Sequence, residues 1–268
     1  MIIWLASYPK SGNTWVRVFL NSLFYSSNNE IDINNLSIEQ FPNRKHFEDI
    51  LKNMDDINEF AQNCINAQLR LNLSNETRFL KTHHAYWQNG KYKFTDIQTS
   101  LGVIYIVRDP RNIITSLKNH YNFDNYEDAL KFLLDDKKVI GVKNSKKEMD
   151  LPHIISSWKN HFNSWKKMNK NYLLVKYENL INSPEKEFQK ITSFLEKLIN
   201  VKFDKNRILD AVEKSSFHNL KKKEQTHGFI EAPILLNKSS SFFNMGPKND
   251  WRKLLNKKIA KKIEKEFK

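Results

Sequence analysis

The chain has 268 residues, enough to bury a substantial core without metal or disulfide support. Apolar residues make up 40% of it and aromatic residues 12%, with 6 glycines and 7 prolines, which excludes a mostly disordered or fibrous protein. Lysine and arginine outnumber aspartate and glutamate by 44 to 30, and the net charge of +14 attracts phosphate, sulfate, nucleic acid or an anionic membrane without choosing among them.

Cys64 is the one cysteine, so an internal disulfide and a cysteine-built zinc site are both excluded. It falls in an apolar helical pattern with Ile57, Phe60, Ala61 and Ile65 and reads as a core residue. No stretch reaches the ~18 apolar residues that a membrane span needs. Met1 to Ser7 is too short for a signal-peptide core. The expectation is a cytoplasmic protein with no membrane span.

In chain order, Ile2 to Ser7 is an apolar run without alternation, as in a central parallel strand buried on both faces. Tyr8-Pro9-Lys10-Ser11-Gly12 breaks it, and Val16, Val18, Phe19, Leu20, Leu23 and Phe24 then predict a largely apolar helix. A loop is expected over Ser26 to Asn35, then helices over His46 to Met54 and Ile57 to Leu71, and a strand over Thr77 to Thr82. Val103 to Val107, β-branched and apolar, is the clearest strand, and Arg111 to His120 is helical in pattern. Lys137 to Asp150 reads as a charged loop, Ile154 to Met168 as a helix, and Tyr172 to Lys176 as a strand. Ser183-Pro184-Glu185 has the cap, the proline and the early acid of a helix start. Lys221 to Pro247 lacks regular pattern, and a basic helix closes the chain over Leu254 to Phe267. There is no repeat or linker, so one α/β domain over residues 1–268 is expected. It would have a central, mainly parallel sheet with helices on both faces, a three-layer sandwich like that of P-loop NTPases.

Ligands of open parallel sheets bind beyond the carboxyl ends of the strands. Three predicted strand ends carry dense polar groups: Tyr8 to Trp15, Lys81 to His84, and Arg108 to His120. The first has the make-up of an anion cradle. Gly12 lets backbone N–H groups approach a phosphate, the following helix adds its positive end, and Lys10, Ser11, Asn13 and Thr14 supply further donors. A Walker A loop would need glycine where Ser7 stands and lysine where Asn13 stands, so this is not an ATPase or GTPase loop. At the third end, Arg108 offers a bidentate fork to a phosphate, and Ser116, eight residues on, returns to the same ligand side after about two helical turns. At the second, the adjacent His83 and His84 point opposite ways on an extended segment, so only one of them can face the site.

Tyr8-Pro9-Lys10-Ser11-Gly12-Asn13-Thr14-Trp15 resembles the 5′-phosphosulfate loop of the cytosolic-type sulfotransferases. The resemblance runs in the family's order from Ile2 to Trp251. It implies the donor co-substrate 3′-phosphoadenosine 5′-phosphosulfate, no metal, and an acceptor that is a small molecule or glycan with a hydroxyl or amine. It assigns Lys10 to the charge growing on the leaving bridge oxygen and Ser11, Gly12, Asn13 and Thr14 to the 5′-phosphosulfate. Arg108 and Ser116 match the 3′-phosphate site, and Leu80-Lys81-Thr82-His83 matches the strand end whose histidine is the general base, with Lys81 beside the sulfonate. Tyr177 in Tyr177-Glu178-Asn179-Leu180, Ser216 and Phe217, and Trp15 match residues near the adenine.

Phe242 to Trp251 keeps the frame of the family's closing segment over the 3′-phosphate, including Gly246. It carries Asn244 and Met245 where the family has arginine and lysine: either Lys238, Lys248 or Arg252 supplies the charge from nearby, or donor affinity is reduced, or catalysis is lost. Tyr86, Trp87, Phe94, Phe123 and Tyr126 form either an aromatic acceptor wall or part of the core. The rival readings are a kinase-like phosphotransferase on the same fold and a non-catalytic basic protein that binds polyanions. The displaced lysine and the lack of an evident acidic magnesium site stand against the first. Nucleic acid is not the expected partner, and the oligomeric state is open, a homodimer included.

Overall fold

The computed structural model describes residues 1–25, 31–141, 151–168, 171–232 and 241–267. Its strands are β1 (Ile2–Ser7), β2 (Glu39–Gln40), β3 (Arg78–Thr82), β4 (Gln88–Asn89), β5 (Tyr92–Lys93), β6 (Ser100–Val107), β7 (Val139–Ile140), β8 (His153–Ile154) and β9 (Tyr172–Lys176). The helices are α1 (Asn13–Tyr25), α2 (Ile57–Asn72), α3 (Pro110–His120), α4 (Tyr126–Leu134), α5 (Trp158–Trp165) and α6 (Tyr177–Asn182). They continue with α7 (Pro184–Ile199), α8 (Lys205–Lys214), α9 (Phe217–His227), α10 (Trp251–Leu254) and α11 (Lys257–Phe267).

Among the described residues, β2, β3, β1, β6 and β9 lie side by side in that order, all parallel. β4 with β5, and β7 with β8, form short antiparallel ribbons outside this sheet. Every residue of β1 is buried, and its alternate side chains enter two different cores, as the period of two demands. Ile3 and Leu5 pack with Phe19 and Leu20 of α1 and with Phe188 and Ile191 of α7. Ile2 and Trp4 pack with Phe60 and Cys64 of α2 and with Trp165 of α5. Both faces are therefore covered, which is why β1 and β6 read as continuous apolar runs. No helix of the described residues is long and apolar enough to cross a membrane.

Four helical readings change. Over His46 to Met54 only a 3₁₀ turn forms, at Arg44–His46. Asn53 and Asp56 there spend their side chains on the backbone N–H groups of Asp55 and Asn58, so the helix starts at Ile57 instead. Ile154 is in β8, and Ser156 takes a left-handed φ of 58° before Ser157 caps α5, which shortens the predicted helix at its front. The segment after Lys221 is helical as far as His227, because lysine, glutamate and glutamine favour the helix even without an apolar stripe. Lastly, Asn256 accepts from the Ile259 N–H, so the closing helix begins at Lys257. The predicted loops at Ser26 to Asn35 and Lys137 to Asp150 fall partly outside the described residues.

For function, the decisive feature is the adjacency of β3, β1 and β6. Ala6 of β1 stands beside Thr82, and Ser7 beside Ile106, so the three predicted polar strand ends emerge next to one another at one edge of the sheet.

Candidate active site

Beyond those strand ends lies a cavity of about 1170 Å³. Lys10, Gly12, Asn13, Thr14, Trp15, Lys81, His83, Arg108, Ser116, Tyr177, Phe217 and Gly246 all line it, so most of the residues singled out from sequence meet in one place. The turn after β1 is wound tightly. Lys10 has φ 67° and Gly12 φ 97°, and a Cβ on Gly12 would come within 2.5 Å of the Tyr177 ring. Both the backbone angle and the ring exclude a side chain at that position. Asn13 opens α1 and donates its amide to the Leu5 carbonyl at 2.9 Å and to Ser7 Oγ at 3.2 Å, which ties the turn back to its strand.

Arg108 lies one residue beyond the end of β6 and donates from Nη1 to the Lys10 carbonyl at 2.9 Å. Its guanidinium sits 4.1 Å from the centroid of the Tyr177 ring. The turn after β1 and the arginine after β6 are thus joined directly and face the same cavity. Burial, and then the neighbouring Arg108 charge, pull the Lys10 amine down to about 7, against the ordinary lysine range. Its Nζ lies 3.4 Å from His120 Nδ1 and 3.8 Å from the centroid of the Phe242 ring.

His83, one residue past β3, donates from Nδ1 to the Ser7 carbonyl at 2.8 Å. That bond fixes the tautomer and leaves the Nε2 lone pair available. Burial, and then the Lys81 charge, hold its pKa well below the usual histidine value, so the ring is neutral near pH 7. His161 steadies this segment from beneath. It donates from Nε2 to the His83 carbonyl at 3.2 Å and accepts the Tyr105 hydroxyl on Nδ1 at 2.8 Å. His84 points away into the core, with its ring 4.6 Å from that of Phe94 and its Nδ1 accepting from the Ile154 N–H.

Several expected residues stand elsewhere. Ser11 is buried behind the turn rather than lining the cavity, and Ser216 caps α9 through the Asn219 N–H. Tyr86, Trp87, Phe94, Phe123 and Tyr126 do not line the cavity; Phe94 is fully buried between Trp4 and Trp165, so the core alternative holds for it. Tyr121 lines the cavity instead. Neither Lys248 nor Arg252 reaches the lining: Lys248 is exposed and Arg252 pairs with Asp250. Lys238 lies outside the described residues. The closing segment is instead sewn to α3 by polar contacts. Thr115 Oγ1 donates to Asn249 Oδ1 at 2.6 Å, and the Trp251 N–H to Asn112 Oδ1 at 2.9 Å.

Sequence reasoning missed Arg17 and Glu231, which meet in this cavity, and it missed the supporting role of His161. A charge among Val16, Val18 and Phe19 was a usable signal for Arg17. Glu231 gave none, since its partners are distant in the chain.

Among the buried polar atoms with no protein partner, Trp15 Nε1, Arg17 Nε and Arg108 Nε belong to residues that line the cavity, and Ser11 Oγ and Asn13 Oδ1 lie in the turn itself. All but Asn13 Oδ1 can donate, and buried donors are costly unless something accepts from them. Together with Lys10 and the glycine turn, they fit an anionic nucleotide. A parallel sheet with a glycine turn, a lysine and an arginine at adjacent strand ends has the features of an anion-binding site. The family model described as Sulfotransferase domain matches residues 2–268, and the chain belongs to this family of group transferases. Sulfotransferase 1B1 of Canis lupus familiaris is 24% identical over 273 residues, which cover 92% of this chain and 76% of that protein. Sulfotransferase 1E1 of Homo sapiens is 23% identical over 285 residues, covering 98% and 83%. The crystal structure of mouse sulfotransferase SULT7A1 complexed with PAP shares the fold, with a TM-score of 0.60 at 21% identity, covering 98% of this chain and 82% of that one.

Proposed function

We propose that this protein transfers a sulfonate group from 3′-phosphoadenosine 5′-phosphosulfate to a hydroxyl or amine of its acceptor, with His83 as general base. The observation that carries this reading is the meeting of the three strand ends in one cavity, with Arg108 bonded to the Lys10 carbonyl and His83 to the Ser7 carbonyl. The donor, when bound, supplies an electrophilic sulfur and a good leaving group. His83 Nε2 takes the proton from the acceptor atom as that atom bonds to sulfur. Lys10 meets the negative charge left on the phosphate oxygen as the bond between it and sulfur breaks, a cation placed where charge develops. The turn from Ser11 to Thr14 and the start of α1 hold the 5′-phosphosulfate, and Arg108 with Ser116 holds the 3′-phosphate. Trp15, Tyr177 and Phe217 supply aromatic surface for the adenine.

Calorimetric titration with adenosine 3′,5′-bisphosphate (PAP), ADP and adenosine 5′-phosphosulfate tests this assignment. A charged hydrogen bond to the 3′-phosphate is worth roughly 1.5–3 kcal/mol, so PAP is expected to bind about tenfold tighter or better than ligands lacking it. Equal affinity for all three would sink the reading.

A further inference from the structure

The transfer chemistry leaves one partly buried carboxylate in the cavity without a task. Glu231 Oε1 accepts from Arg17 Nη1 at 2.5 Å, and its Oε2 accepts from Lys81 Nζ at 3.2 Å. The two cationic side chains are only 11% and 6% exposed. They reach this point from the two segments that matter. Arg17 lies one turn along α1 from Asn13, at the mouth of the anion cradle, and Lys81 lies two residues before His83, on the same side of an extended segment. Burial opposes ionisation of Glu231, but the Lys81 and Arg17 charges outweigh it and hold the carboxyl well below the usual carboxylate range. Arg17, Lys81 and Glu231 line the same cavity as Lys10 and His83, and Lys81 and Glu231 act electrostatically on both.

Under the proposed function, this is the space that the sulfonate must cross. A sulfonate and a carboxylate are both anions that present oxygens to the same donors, and an arginine fork accepts either. They cannot share the pair comfortably, since like charges at contact distance repel. Two buried cations left without any anion would also be costly.

We propose that Glu231 stands in for the sulfonate: it holds Arg17 and Lys81 in the donor-free protein and yields them when the donor binds, making Arg17 a sulfonate-binding residue. The inference rests on the sulfotransferase reading and adds to it a means of telling donor from product. PAP has no sulfonate, so it leaves the Glu231 contacts intact, whereas the donor must displace them.

Binding measured without acceptor tests this. Affinities for PAP and for 3′-phosphoadenosine 5′-phosphosulfate would be compared in the wild type, Glu231→Gln and Arg17→Met. Glu231→Gln is expected to tighten donor binding by about tenfold and PAP binding by less than about threefold. Arg17→Met is expected to weaken donor binding by about tenfold while PAP stays within about threefold. PAP binding also reports that each variant is folded; should Glu231→Gln fail to fold, Arg17→Met decides alone. Parallel changes for both ligands in the folded variants overturn the role of Glu231 and leave the donor reading standing. A wild-type protein that binds neither ligand overturns the donor reading itself.

Discussion

The two ends of the cavity are built from different kinds of structure. The end that holds the proposed donor rests on strand ends in the middle of the sheet, with β1 buried on both faces and its turn pinned by Asn13, Arg108 and Tyr177. The other end, which we propose for the acceptor, comes from the two-residue edge strand β2, the 3₁₀ turn after it and the short β7–β8 ribbon. Its lining includes Glu39, Gln40, Lys45 and His153, with Lys45 Nζ 2.5 Å from Glu39 Oε1 and Gln40 Nε2 3.1 Å from His153 Nε2. Chemistry that must not vary is anchored where every displacement disturbs the core. Recognition that can vary sits on pieces whose replacement disturbs little else.

That contrast can be broken by experiment. The largest effect is expected from His83→Ala, which should lower turnover by about 10²-fold or more while leaving PAP affinity nearly unchanged. Near-normal turnover in a steady-state assay would remove His83 from the base role. Arg108→Gln should follow, weakening PAP by about tenfold or more in a titration and weakening ADP much less. Next comes pH. Lys10 is charged below about 7 in the ligand-free protein and loses its proton above that value. PAP affinity should therefore fall by up to about tenfold as pH rises from about 6.5 to 8.5, and Lys10→Arg should abolish that fall. A flat profile in the wild type would show that the amine stays charged throughout. The smallest effect is expected from Glu39→Gln at the edge strand. It should leave PAP affinity within about 0.5 kcal/mol and act, if anywhere, on the KM for the acceptor. A loss of donor binding there would erase the division between the two ends.

The same division governs what could be read from the sequence. The donor end is made of contiguous runs, Tyr8 to Trp15, Lys81 to His83 and Arg108 to Ser116, each attached to a strand whose apolar pattern is unmistakable. Parallel neighbours β3, β1 and β6 then bring those runs together by register alone. The alternation of an extended chain allowed only one of His83 and His84 to face the site, and the resemblance of Leu80-Lys81-Thr82-His83 to the family's strand end chose His83. By contrast, β2 is two residues long and leaves no periodic trace, and the aromatic residues near the site in sequence are not those beside it in space. Trp87 shows this: its indole donates to His84 Nδ1 within the core-facing side of the segment. The triad of Arg17, Lys81 and Glu231 joins three distant stretches, and only the odd charge within an apolar helix hinted at it. The two cations missing at Asn244 and Met245 were visible at once. The structure shows that the segment is held to α3 through Asn249 and Trp251 rather than by Lys248 or Arg252.

The contact between Gly12 and Tyr177 has an evolutionary consequence. The aromatic ring occupies the place where any other residue at position 12 would put its first carbon, and the same ring carries the Arg108 guanidinium on its face. Drift at the glycine meets both its φ of 97° and the ring, and losing the ring removes one of the two supports of the arginine, the other being the Lys10 carbonyl. The three positions are therefore coupled, and saturation mutagenesis of position 12 should return glycine almost without exception.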